Sequence, residues 1–538
     1  MIDQYLKRAI VGGETSLGIE FGSTRIKAVL INNKFDIIAS SSYEWENQWD
    51  DPYWTYHPNE MIRGLQEVYA QLKQQVMMDF GVTLSSIGSI GLSGMMQGYL
   101  VLDSMGELLV PFRTWRNITT SPAAAFLTKE FQYKIPERWS IAHLYQSILN
   151  DEEHVRNINY MTTLSGYMHF LLTGNKALGV GDASGMFPIN RVTRGYNEEM
   201  IEQFNEFISH KDYPWKLEDL LPSVYSAGEH AGYLHEAGAR LIDPSGELQA
   251  GIPFCPPEGD AGTGMVATNS IQTCSGSLSA GTSIFAMIVL DKDIGVYPEI
   301  DIVTTPDGSP VGMVLANNCT SDINAWIRIF HEFYEALGYK ADASHLFQVL
   351  FNKALEADPD GGGLLSYGYY SGEKITGMTQ GRPLFVRSPE SRFTLANFMR
   401  THLFGAFGTL RLGMDILTRR EKVKVDQILA HGGLFKTPFV GQKMCAAALN
   451  VPVSVMPTAG EGGAWGIAIL ASYMVCKEKN ESLTDYIHLK VFKDVEALRI
   501  DPDISDVNGF NRFMERYTKG IAIEQAAADH LQKRDEIH

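Results

Sequence analysis

The sequence predicts an α/β protein of two large domains that face each other across a central cleft. Its 538 residues exceed what one hydrophobic core organises, since single cores stop growing at roughly 250–300 residues. Short apolar strands alternate with amphipathic helices, and each half contains a strand, a turn of small residues and a second strand. Two such halves would leave a cleft between them, which is a common place for a ligand site.

The composition is that of an ordinary globular protein, with 45% hydrophobic and 20% charged residues. The formal net charge of −18 argues against a general binder of nucleic acids or anionic membranes, which would present a basic face. A small anionic ligand stays compatible with this charge, because backbone N–H groups in a tight turn can bind phosphate on an acidic protein.

The five cysteines are scattered and form no C-x-x-C pair, so zinc-binding and thioredoxin-like functions have no support. Sparse cysteines of this kind are typical of the reducing cytosol. The N-terminal residues lack the apolar core of a signal peptide, and no apolar run is long enough to span a bilayer. We therefore expect a cytoplasmic protein that binds neither nucleic acid nor membrane.

The first half opens with a strand hairpin. The runs "LGIEF", "IKAVLIN" and "DIIASSSY" predict three antiparallel strands, and apolar residues at spacings of three to four predict a helix over 57–78. Because the hairpin precedes the helix, the order differs from a Rossmann fold, in which the first strand leads directly into a helix. Further along, an apolar stretch over 160–172 predicts one helix.

The second half repeats this character. A Pro- and Gly-rich stretch, "PFCPPEGDAGTG", leads into a strand, a small-residue turn and another strand. The run "QILAHGGLF" predicts a strand that enters a glycine pair, and helices are expected over 439–449 and in "EGGAWGIAILASYMVC". The internal similarity of the halves predicts a duplicated architecture.

Two turns are candidate phosphate sites: Gly22-Ser23-Thr24 and Gly281-Thr282-Ser283. Each offers unhindered backbone N–H groups beside hydroxyls, and such turns can cradle phosphate oxygens. Lys27 could add a positive charge to the first turn. The alternative is a plain hairpin turn in each case, and the absence of GxxxxGK[ST] excludes a P-loop.

Glu20 stands two residues before the first turn, on a strand predicted to be buried. A buried carboxylate costs several kcal/mol unless it is paired or lies near a cation. Strand alternation puts Glu20 on a face shared with Gly18 and Gly22, a floor on which a ligand could sit. Two interpretations follow: an outward-facing residue of an edge strand, or a carboxylate beside Mg²⁺, which prefers oxygen ligands.

Asp260 lies between glycines in "EGDAG", near the expected domain junction. One interpretation is an Asx-turn residue. The other is a general base that takes the proton of an attacking hydroxyl, since phosphoryl transfer to an alcohol needs one carboxylate directed at the nucleophile.

Three further segments carry weaker candidates. The pair Gly432-Gly433, between a strand and a helix, would let a ring or a phosphate approach the backbone, or would serve only as a helix-entry loop. Gln97, beside Met96 in a turn between strands, could bind a polyol hydroxyl or be a solvated turn residue. Trp115 could stack against a sugar or lie in the core.

Taken in order, these segments resemble the FGGY carbohydrate kinases, within the actin-like ATPase fold of sugar kinases and heat-shock ATPases. The match runs over residues 16–471 through "GIEFGSTRIKAVL", "GLSGMMQGYLVLD", "LLTG", "DASG", "EGDAG", "AGTS", "SGE", "HGGLFKTP" and "GEGGAWGIAILA". The motif forms are most similar to those of xylulokinase-like pentulose kinases. The resemblance implies two actin-like, ribonuclease H-like domains at residues 1–262 and 263–478, on the sugar and nucleotide sides, and a helical extension at 479–538.

The resemblance also implies roles for residues, with ATP and Mg²⁺ as cofactors. Asp260 would be the catalytic base and, with Glu20, a metal ligand. The two turns and Lys27 would bind the ATP phosphates, while Gly432, Gly433 and Lys436 would lie against the nucleotide. The sugar would contact Asp260 and the following side chains: Met96, Gln97 and Trp115.

Three positions depart from the family pattern. Glu20 stands where the family has Asp, and its extra methylene moves the carboxylate by about 1.5 Å, which alters the expected metal geometry. Gln97 replaces a His of xylulokinases, and Ala261 replaces the Asn that follows the base. The last two changes make L-ribulose or another ketose a competitor of D-xylulose.

The sequence therefore predicts an ATP- and Mg²⁺-dependent kinase of a ketopentose. A homodimer is compatible with this prediction. Two alternatives concern the same fold: a kinase of another polyol, such as a hexulose, glycerol or gluconate, and a sugar- or nucleotide-binding regulator without catalysis. A chaperone-type or actin-like ATPase would share the phosphate hairpins but would not account for "GLSGMMQG" and "EGDAG" in this order.

Overall fold

The structure is a computed structural model that describes residues 2–340, 342–456 and 462–531. The chain divides into two compact units. The first unit comprises Met1–Ile271, Asp301–Val311 and Glu461–Asp494, and the second unit comprises Gln272–Ile300, Gly312–Gly460 and Val495–His538. The predicted α/β class with two large bodies is confirmed, while the boundaries 1–262, 263–478 and 479–538 stay a prediction.

The first 271 residues alternate short strands and helices. The strands are β1 (Ser16–Phe21), β2 (Arg25–Ile31), β3 (Ile37–Glu44), β4 (Gln48–Asp50), β5 (Tyr53–Thr55), β6 (Ser89–Gly94), β7 (Leu100–Leu102), β8 (Tyr160–Thr162), β9 (Ala177–Gly179), β10 (Ser223–Tyr225), β11 (Gly232–Tyr233), β12 (Pro253–Phe254) and β13 (Glu258–Gly259). The helices are α1 (Ile2–Val11), α2 (Pro58–Phe80), α3 (Ser121–Phe131), α4 (Ser140–Leu149), α5 (Leu164–Thr173), α6 (Val180–Ala183), α7 (Glu198–Ile208), α8 (Leu217–Leu220), α9 (Glu236–Ile242) and α10 (Asp260–Ala267).

The rest of the chain contains longer helices. The strands are β14 (Ser275–Ala280), β15 (Ile284–Val289), β16 (Ile300–Thr304), β17 (Pro310–Ala316), β18 (Leu365–Tyr367), β19 (Leu384–Val386), β20 (Gln427–His431), β21 (Val453–Val455) and β22 (Leu498–Ile500). The helices are α11 (Ser321–Ala336), α12 (Ala343–Lys353), α13 (Leu395–Asp415), α14 (Val440–Leu449), α15 (Gly462–Cys476), α16 (Leu483–Tyr486) and α17 (Ile504–His530). No helix in these described ranges combines the length and the apolar character that a bilayer crossing requires.

The central sheet of the first unit has the strand order β11-β12-β6-β1-β2-β3, with β13 also paired to β6. Strands β1, β2 and β3 are antiparallel neighbours, as predicted, and β6 runs parallel to β1. Helix α2 follows the hairpin and buries the predicted apolar stripe, which includes Met61, Leu65 and Val68. These side chains join one buried cluster with those of β1, β2 and β6, and each fully buried one stabilises the fold by about 1.5–3 kcal/mol.

Helix α15 packs on the same sheet and explains the glycines of β1. A Cβ on Gly18 would overlap the carbonyl oxygen of Ala464, so only glycine lets the helix backbone come this close. The glycine face that was expected to be a floor for a ligand is therefore covered at Gly18 by this helix. Gly460 and Glu461, which precede α15 in the expected adenosine-side segment, lie outside the described residues.

One predicted helix begins later than expected. Residues 160–162 form strand β8, paired with β7, instead of the first turn of the helix predicted over 160–172. The helix α5 begins at Leu164 because the Thr163 side chain accepts a hydrogen bond from the amide of Gly166 and caps it.

The second unit repeats the hairpin arrangement around its own sheet. Strands β14 and β15 form an antiparallel hairpin, and β20 runs parallel to β14. Strand β21 extends the sheet in parallel and β22 in antiparallel orientation. A hairpin with a third strand parallel to its first strand thus occurs in both units, in agreement with the predicted duplication.

Candidate active site

The first small-residue turn has its carbonyl groups held by neighbouring residues and leaves two of its amides without an acceptor among the described residues. The indole of Trp45 donates to the carbonyl oxygen of Gly22 at 2.7 Å, and the Tyr56 hydroxyl donates to that of Ser23 at 2.6 Å. The amide of Trp45 donates to the carbonyl oxygen of Thr24 at 3.2 Å. Within the described part of the chain, the amides of Ser23 and Thr24 donate to no acceptor. The turn can therefore offer both N–H groups to an anion.

Glu20 lies at the end of β1 and faces the start of helix α15. It pairs in register with Lys27 on β2, and its carboxylate accepts a hydrogen bond from the amide of Ala464 at 3.1 Å. A Cβ on Gly463 would lie only 2.6 Å from Glu20 Oε1, so the carboxylate is packed closely against the helix N-terminus. Burial, and then the nearby Asp260 carboxylate, raise the pKa of Glu20 to about 7. The carboxylate therefore faces the other candidate groups, and the edge-strand interpretation is wrong.

Asp260 begins helix α10, directly after strand β13, so it is not an isolated turn residue. The backbone N–H groups of Ala261 and Met96 near its carboxylate favour the charged form and act to lower its pKa. Burial acts more strongly in the opposite direction and raises the pKa of Asp260 to about 6. A carboxylate with such a pKa is mostly ionised at neutral pH yet basic enough to accept a proton in a transition state.

Met96 and Gln97 are both buried beside the Asp260 segment. Met96 packs so closely that its side chain would overlap a Cβ on Gly259. Gln97 is 5% exposed and has a backbone φ of 71°. In the part of the chain that the structure describes, its side-chain amide has no hydrogen-bond partner. An unpaired amide can donate to and accept from a ligand hydroxyl; the contact of Gln97 with a sugar stays a prediction.

Trp115 occupies a turn after the bridge between Tyr99 and Arg113. Its side chain is 41% exposed, so Trp115 is not a core residue. Its contact with a sugar stays a prediction.

Two further carboxylates belong to this cluster and were not singled out from the sequence. Asp182 is fully buried and accepts hydrogen bonds from the hydroxyls of Thr163, at 2.7 Å, and Ser165. Glu258 accepts from the amide of Asp182 at 2.9 Å and from that of Gly181 at 3.3 Å. Burial raises the pKa of Asp182 to about 7 and that of Glu258 to about 8. The sequence signal was present, because both acids stand in the segments "DASG" and "EGDAG".

The second small-residue turn, in the second unit, is built like the first. The amide of Cys319 donates to the carbonyl oxygen of Thr282 at 2.9 Å, and the amide and hydroxyl of Thr320 donate to that of Gly281 at 3.2 and 2.7 Å. The amides of Thr282 and Ser283 donate to no acceptor among the described residues. These two N–H groups are therefore also available to an anion.

A cavity of about 490 Å³ lies in the second unit, next to this turn's supporting segment. Its lining combines a helix face with the glycine loop: Thr320, Ile323, Asn324, Ser344, Phe347, Gln348, Phe351, Gly433, Leu434, Lys436 and Thr437. Gly432 has a φ of 100°, and a Cβ on it would overlap the carbonyl oxygen of Ala280, which ends β14. The structure thus places Gly432 against β14 just before the second turn, and Gly433 and Lys436 in the cavity wall. The cavity residues outside the glycine loop were not found from the sequence.

The donor set fits magnesium. The described residues contain no group of three or more His, Cys, Asp or Glu side chains that could hold a metal ion. Glu20 and Asp260 interact electrostatically as two carboxylates, and Mg²⁺ is usually bound by one or two carboxylates together with waters and substrate phosphates. A cation at this point would relieve their mutual repulsion.

The chain is similar to proteins that share this two-domain fold. It is 23% identical over 530 residues to the xylulose kinase of Haemophilus influenzae, which covers 93% of this chain and 98% of that protein. The structure of ligand-bound xylulose kinase from Lactobacillus acidophilus matches with a TM-score of 0.77 at 18% identity, over 96% of this chain and 98% of that one. Gluconate kinase from the same organism matches with a TM-score of 0.76 at 18% identity, with the same coverage.

Two family models match most of the chain. The model of the FGGY family of carbohydrate kinases, N-terminal domain, matches residues 15–266, and that of the C-terminal domain matches residues 276–475. The actin-like, ribonuclease H-like α/β fold that the motifs predicted is confirmed by these matches and by the solved structures. The chain therefore belongs to the FGGY family of carbohydrate kinases, and it is a sugar kinase.

Proposed function

We propose that this kinase transfers the γ-phosphoryl group of ATP, with Mg²⁺, to a terminal hydroxyl of a ketopentose such as D-xylulose or L-ribulose. The products would be the sugar 5-phosphate and ADP. The observation that carries the proposal is Asp260, a carboxylate at the start of helix α10 whose pKa is raised by burial to about 6, directly after Gly259, against which the Met96 side chain packs. Met96 thus lies beside the segment of the proposed base, and Gln97, the proposed hydroxyl-binding residue, follows Met96 in the chain.

Asp260 would accept the proton of the sugar hydroxyl while the oxygen of that hydroxyl attacks the γ-phosphorus. Gln97 would hydrogen-bond a neighbouring hydroxyl, Met96 would pack against the carbon chain, and Trp115 would stack against the sugar. Glu20, together with Asp260, would hold Mg²⁺, which when bound neutralises charge on the phosphates.

The two turns would bind the phosphates through their amides: Gly22, Ser23, Thr24, Gly281, Thr282 and Ser283. Lys27 would add a positive charge at the first turn. The cavity wall with Gly433 and Lys436 would receive the nucleoside, and Gly432 would keep the loop close to β14.

The sugar is proposed from two kinds of observation. The relatives include xylulose kinases, and one solved neighbour is a gluconate kinase. Gln97 can donate and accept hydrogen bonds without carrying charge, which suits a neutral polyol better than a sugar acid. A panel of D-xylulose, L-xylulose, D- and L-ribulose, L-fuculose, L-rhamnulose, glycerol and gluconate in a coupled ADP assay tests the class. Turnover confined to gluconate or glycerol would contradict the ketopentose proposal.

The role of Asp260 is tested by Asp260→Asn. The amide keeps the size of the side chain but cannot accept the proton, so we expect kcat to fall by about 10²-fold or more with the best sugar of the panel. Asp103→Asn is the control, because Asp103 is a carboxylate in a turn elsewhere in the first unit, where it accepts the backbone amides of Met105 at 2.8 Å and Glu107 at 3.0 Å. Turnover of Asp260→Asn close to that of Asp103→Asn would remove Asp260 from the mechanism.

A further inference from the structure

Glu373, in the second unit, is a buried carboxylate that the site described above does not use. It is 0% exposed and belongs to the "SGE" segment. Its Oε2 accepts two hydrogen bonds, from the amide of Asn317 at 2.9 Å and from the side-chain amide of Asn318 at 3.2 Å. A buried carboxylate is costly unless its hydrogen bonds compensate, so this one is committed to residues 317 and 318.

The loop that carries Glu373 makes several hydrogen bonds with Asn318. The side-chain oxygen of Asn318 accepts from the amides of Tyr370 at 2.9 Å and Ser371 at 3.0 Å. Glu373 itself is fixed by two backbone hydrogen bonds with Met378, at 2.7 and 3.0 Å. Segment 317–318 is therefore hydrogen-bonded to a loop that is itself held by backbone hydrogen bonds, and it is not free to move on its own.

The next two residues of the same run hold the second small-residue turn. Cys319 and Thr320 donate the hydrogen bonds to the carbonyl oxygens of Thr282 and Gly281. A continuous path of four consecutive residues, 317–320, thus leads from the Glu373 carboxylate to the back of the turn. The amides of Thr282 and Ser283 belong to the same turn and donate to no acceptor among the described residues.

We propose that Glu373 is a positioning residue for the nucleotide phosphates, acting on the second turn through segment 317–320. The proposal rests on the proposed function, in which this turn binds ATP phosphates. Without the carboxylate, the backbone amide of Asn317 loses its acceptor and the side-chain amide of Asn318 keeps only the carbonyl oxygen of Ser371 at 3.3 Å, so the segment shifts. Cys319 and Thr320 then move with it, and the turn amides lose the geometry that an anion needs.

A neutral side chain of the same shape should preserve this function. Burial raises the pKa of Glu373 to about 7, so the native carboxyl group is already partly protonated at neutral pH and still accepts both hydrogen bonds. Glu373→Gln can place its carbonyl oxygen where Oε2 lies, whereas Glu373→Ala offers no acceptor.

The test compares Glu373→Ala and Glu373→Gln in the full chain, with Glu524→Ala as matched control. Glu524 is also 0% exposed in the second unit, and its Oε1 accepts the Arg382 amide at 2.6 Å, away from the turn. Titration calorimetry with MgATP and no sugar measures nucleotide binding directly, and steady-state kinetics separate KM for ATP from KM for the sugar.

For Glu373→Ala we expect MgATP affinity to fall, and KM for ATP to rise, by about tenfold or more, because unpaired buried donors displace the turn. The KM for the sugar should stay within about twofold. Glu373→Gln should bind MgATP within about threefold of wild type, and Glu524→Ala within about twofold. A purely structural role would instead lower the thermal midpoint of both alanine variants without separating the two KM values.

Two outcomes would overturn the inference, and they are distinguishable. If wild type binds MgATP and Glu373→Ala binds it as Glu524→Ala does, Glu373 does not position the turn. If wild type itself binds no MgATP, the proposed function fails and this inference fails with it. Should Glu373→Ala not fold, Asn318→Ala breaks the same link from the other side and must give the same split between the two KM values.

Discussion

Glu20 combines two functions in one side chain. Its carboxylate accepts the Ala464 amide at the start of helix α15, where the helix dipole favours negative charge, and it also faces Asp260. The helix contact needs only an acceptor oxygen, whereas binding Mg²⁺ needs the charge. The two roles can therefore be separated by substitution.

We expect Glu20→Gln to keep the thermal unfolding midpoint, because its carbonyl oxygen can still accept the Ala464 amide and a buried charge is removed. Its kcat should fall by about tenfold or more, since the metal loses an anionic ligand. Glu20→Asp should behave in the opposite way. It should retain more activity but have a lower midpoint, because the shorter side chain no longer reaches the Ala464 amide of helix α15. Differential scanning fluorimetry and the ADP assay measure both effects. Full turnover of Glu20→Gln would withdraw the metal role.

At the scale of elements, helix α5 depends on a cap that also serves the acidic cluster. The Thr163 hydroxyl accepts from the Gly166 amide at 3.3 Å and donates to Asp182 at 2.7 Å. Thr163→Ala should cost about 1 kcal/mol for the cap and a further 1–3 kcal/mol, roughly, for the donor that the buried Asp182 loses. Thr163→Ser keeps both hydrogen bonds and should unfold near the wild-type temperature.

Asn197→Ala is the control for this prediction. Asn197 caps helix α7 by accepting the Met200 amide at 3.1 Å, so its removal should cost only the cap. The thermal midpoint of the first unit should therefore fall further in Thr163→Ala than in Asn197→Ala. Equal shifts would show that the bond to Asp182 contributes nothing.

The hairpins could be predicted from the sequence because their signals are local. Strand alternation and the small residues at 22–24 and 281–283 specify a turn within a few positions. The same local logic failed at residues 160–162, which pair with β7, a strand about 60 residues away. Strand pairing of this kind depends on the whole sheet and leaves no periodic signature that separates it from the start of an apolar helix.

The candidate site was predictable to the extent that single residues carry chemistry. Asp260 and Gln97 stand out as polar groups in small-residue segments; Gln97 is almost completely buried, and burial raises the pKa of Asp260. Asp182 and Glu258 did not stand out, because their burial follows from contacts across 76 residues of chain. Helix α15 likewise reaches Glu20 only through the fold, 444 residues apart in sequence.

At the scale of the whole molecule, the duplicated hairpin units give each half its own phosphate-type turn with the same construction. In both, donors from a neighbouring segment hold the turn carbonyls and leave two amides without an acceptor among the described residues. The duplication places the acidic cluster in the first unit and the cavity in the second, so the two halves of the proposed chemistry lie on different bodies.

At the same scale, the protein contains several buried titratable groups whose pKa values are shifted. Burial raises the pKa of several of them to about 7 or 8: Glu20, Asp182, Glu258, Glu373 and Glu524. Burial lowers the pKa of several histidines to about 3 or 4: His143, His154 and His169. In the unfolded chain these groups titrate near 4 and 6.5.

The stability of the apoenzyme should therefore rise as the pH falls from 8 to 6.5. Over this range the folded chain takes up protons on the raised carboxyl groups and the unfolded chain does not, so each proton adds about 1.4 kcal/mol per pH unit to the free energy of unfolding. As the pH approaches and passes 6.5, the unfolded chain gains protons on the histidines that stay neutral when folded, which increasingly opposes this stabilisation. The midpoint of thermal unfolding should thus climb and then level off.

Fluorimetry at a fixed 0.3 M salt checks this, because salt screens the repulsion that arises from a net charge of −18. Glu524→Gln removes one titrating group outside the candidate site, so its midpoint should change less steeply with pH than that of wild type. A midpoint that falls between pH 8 and 6.5 would mean that the buried carboxyl groups are charged in the folded protein.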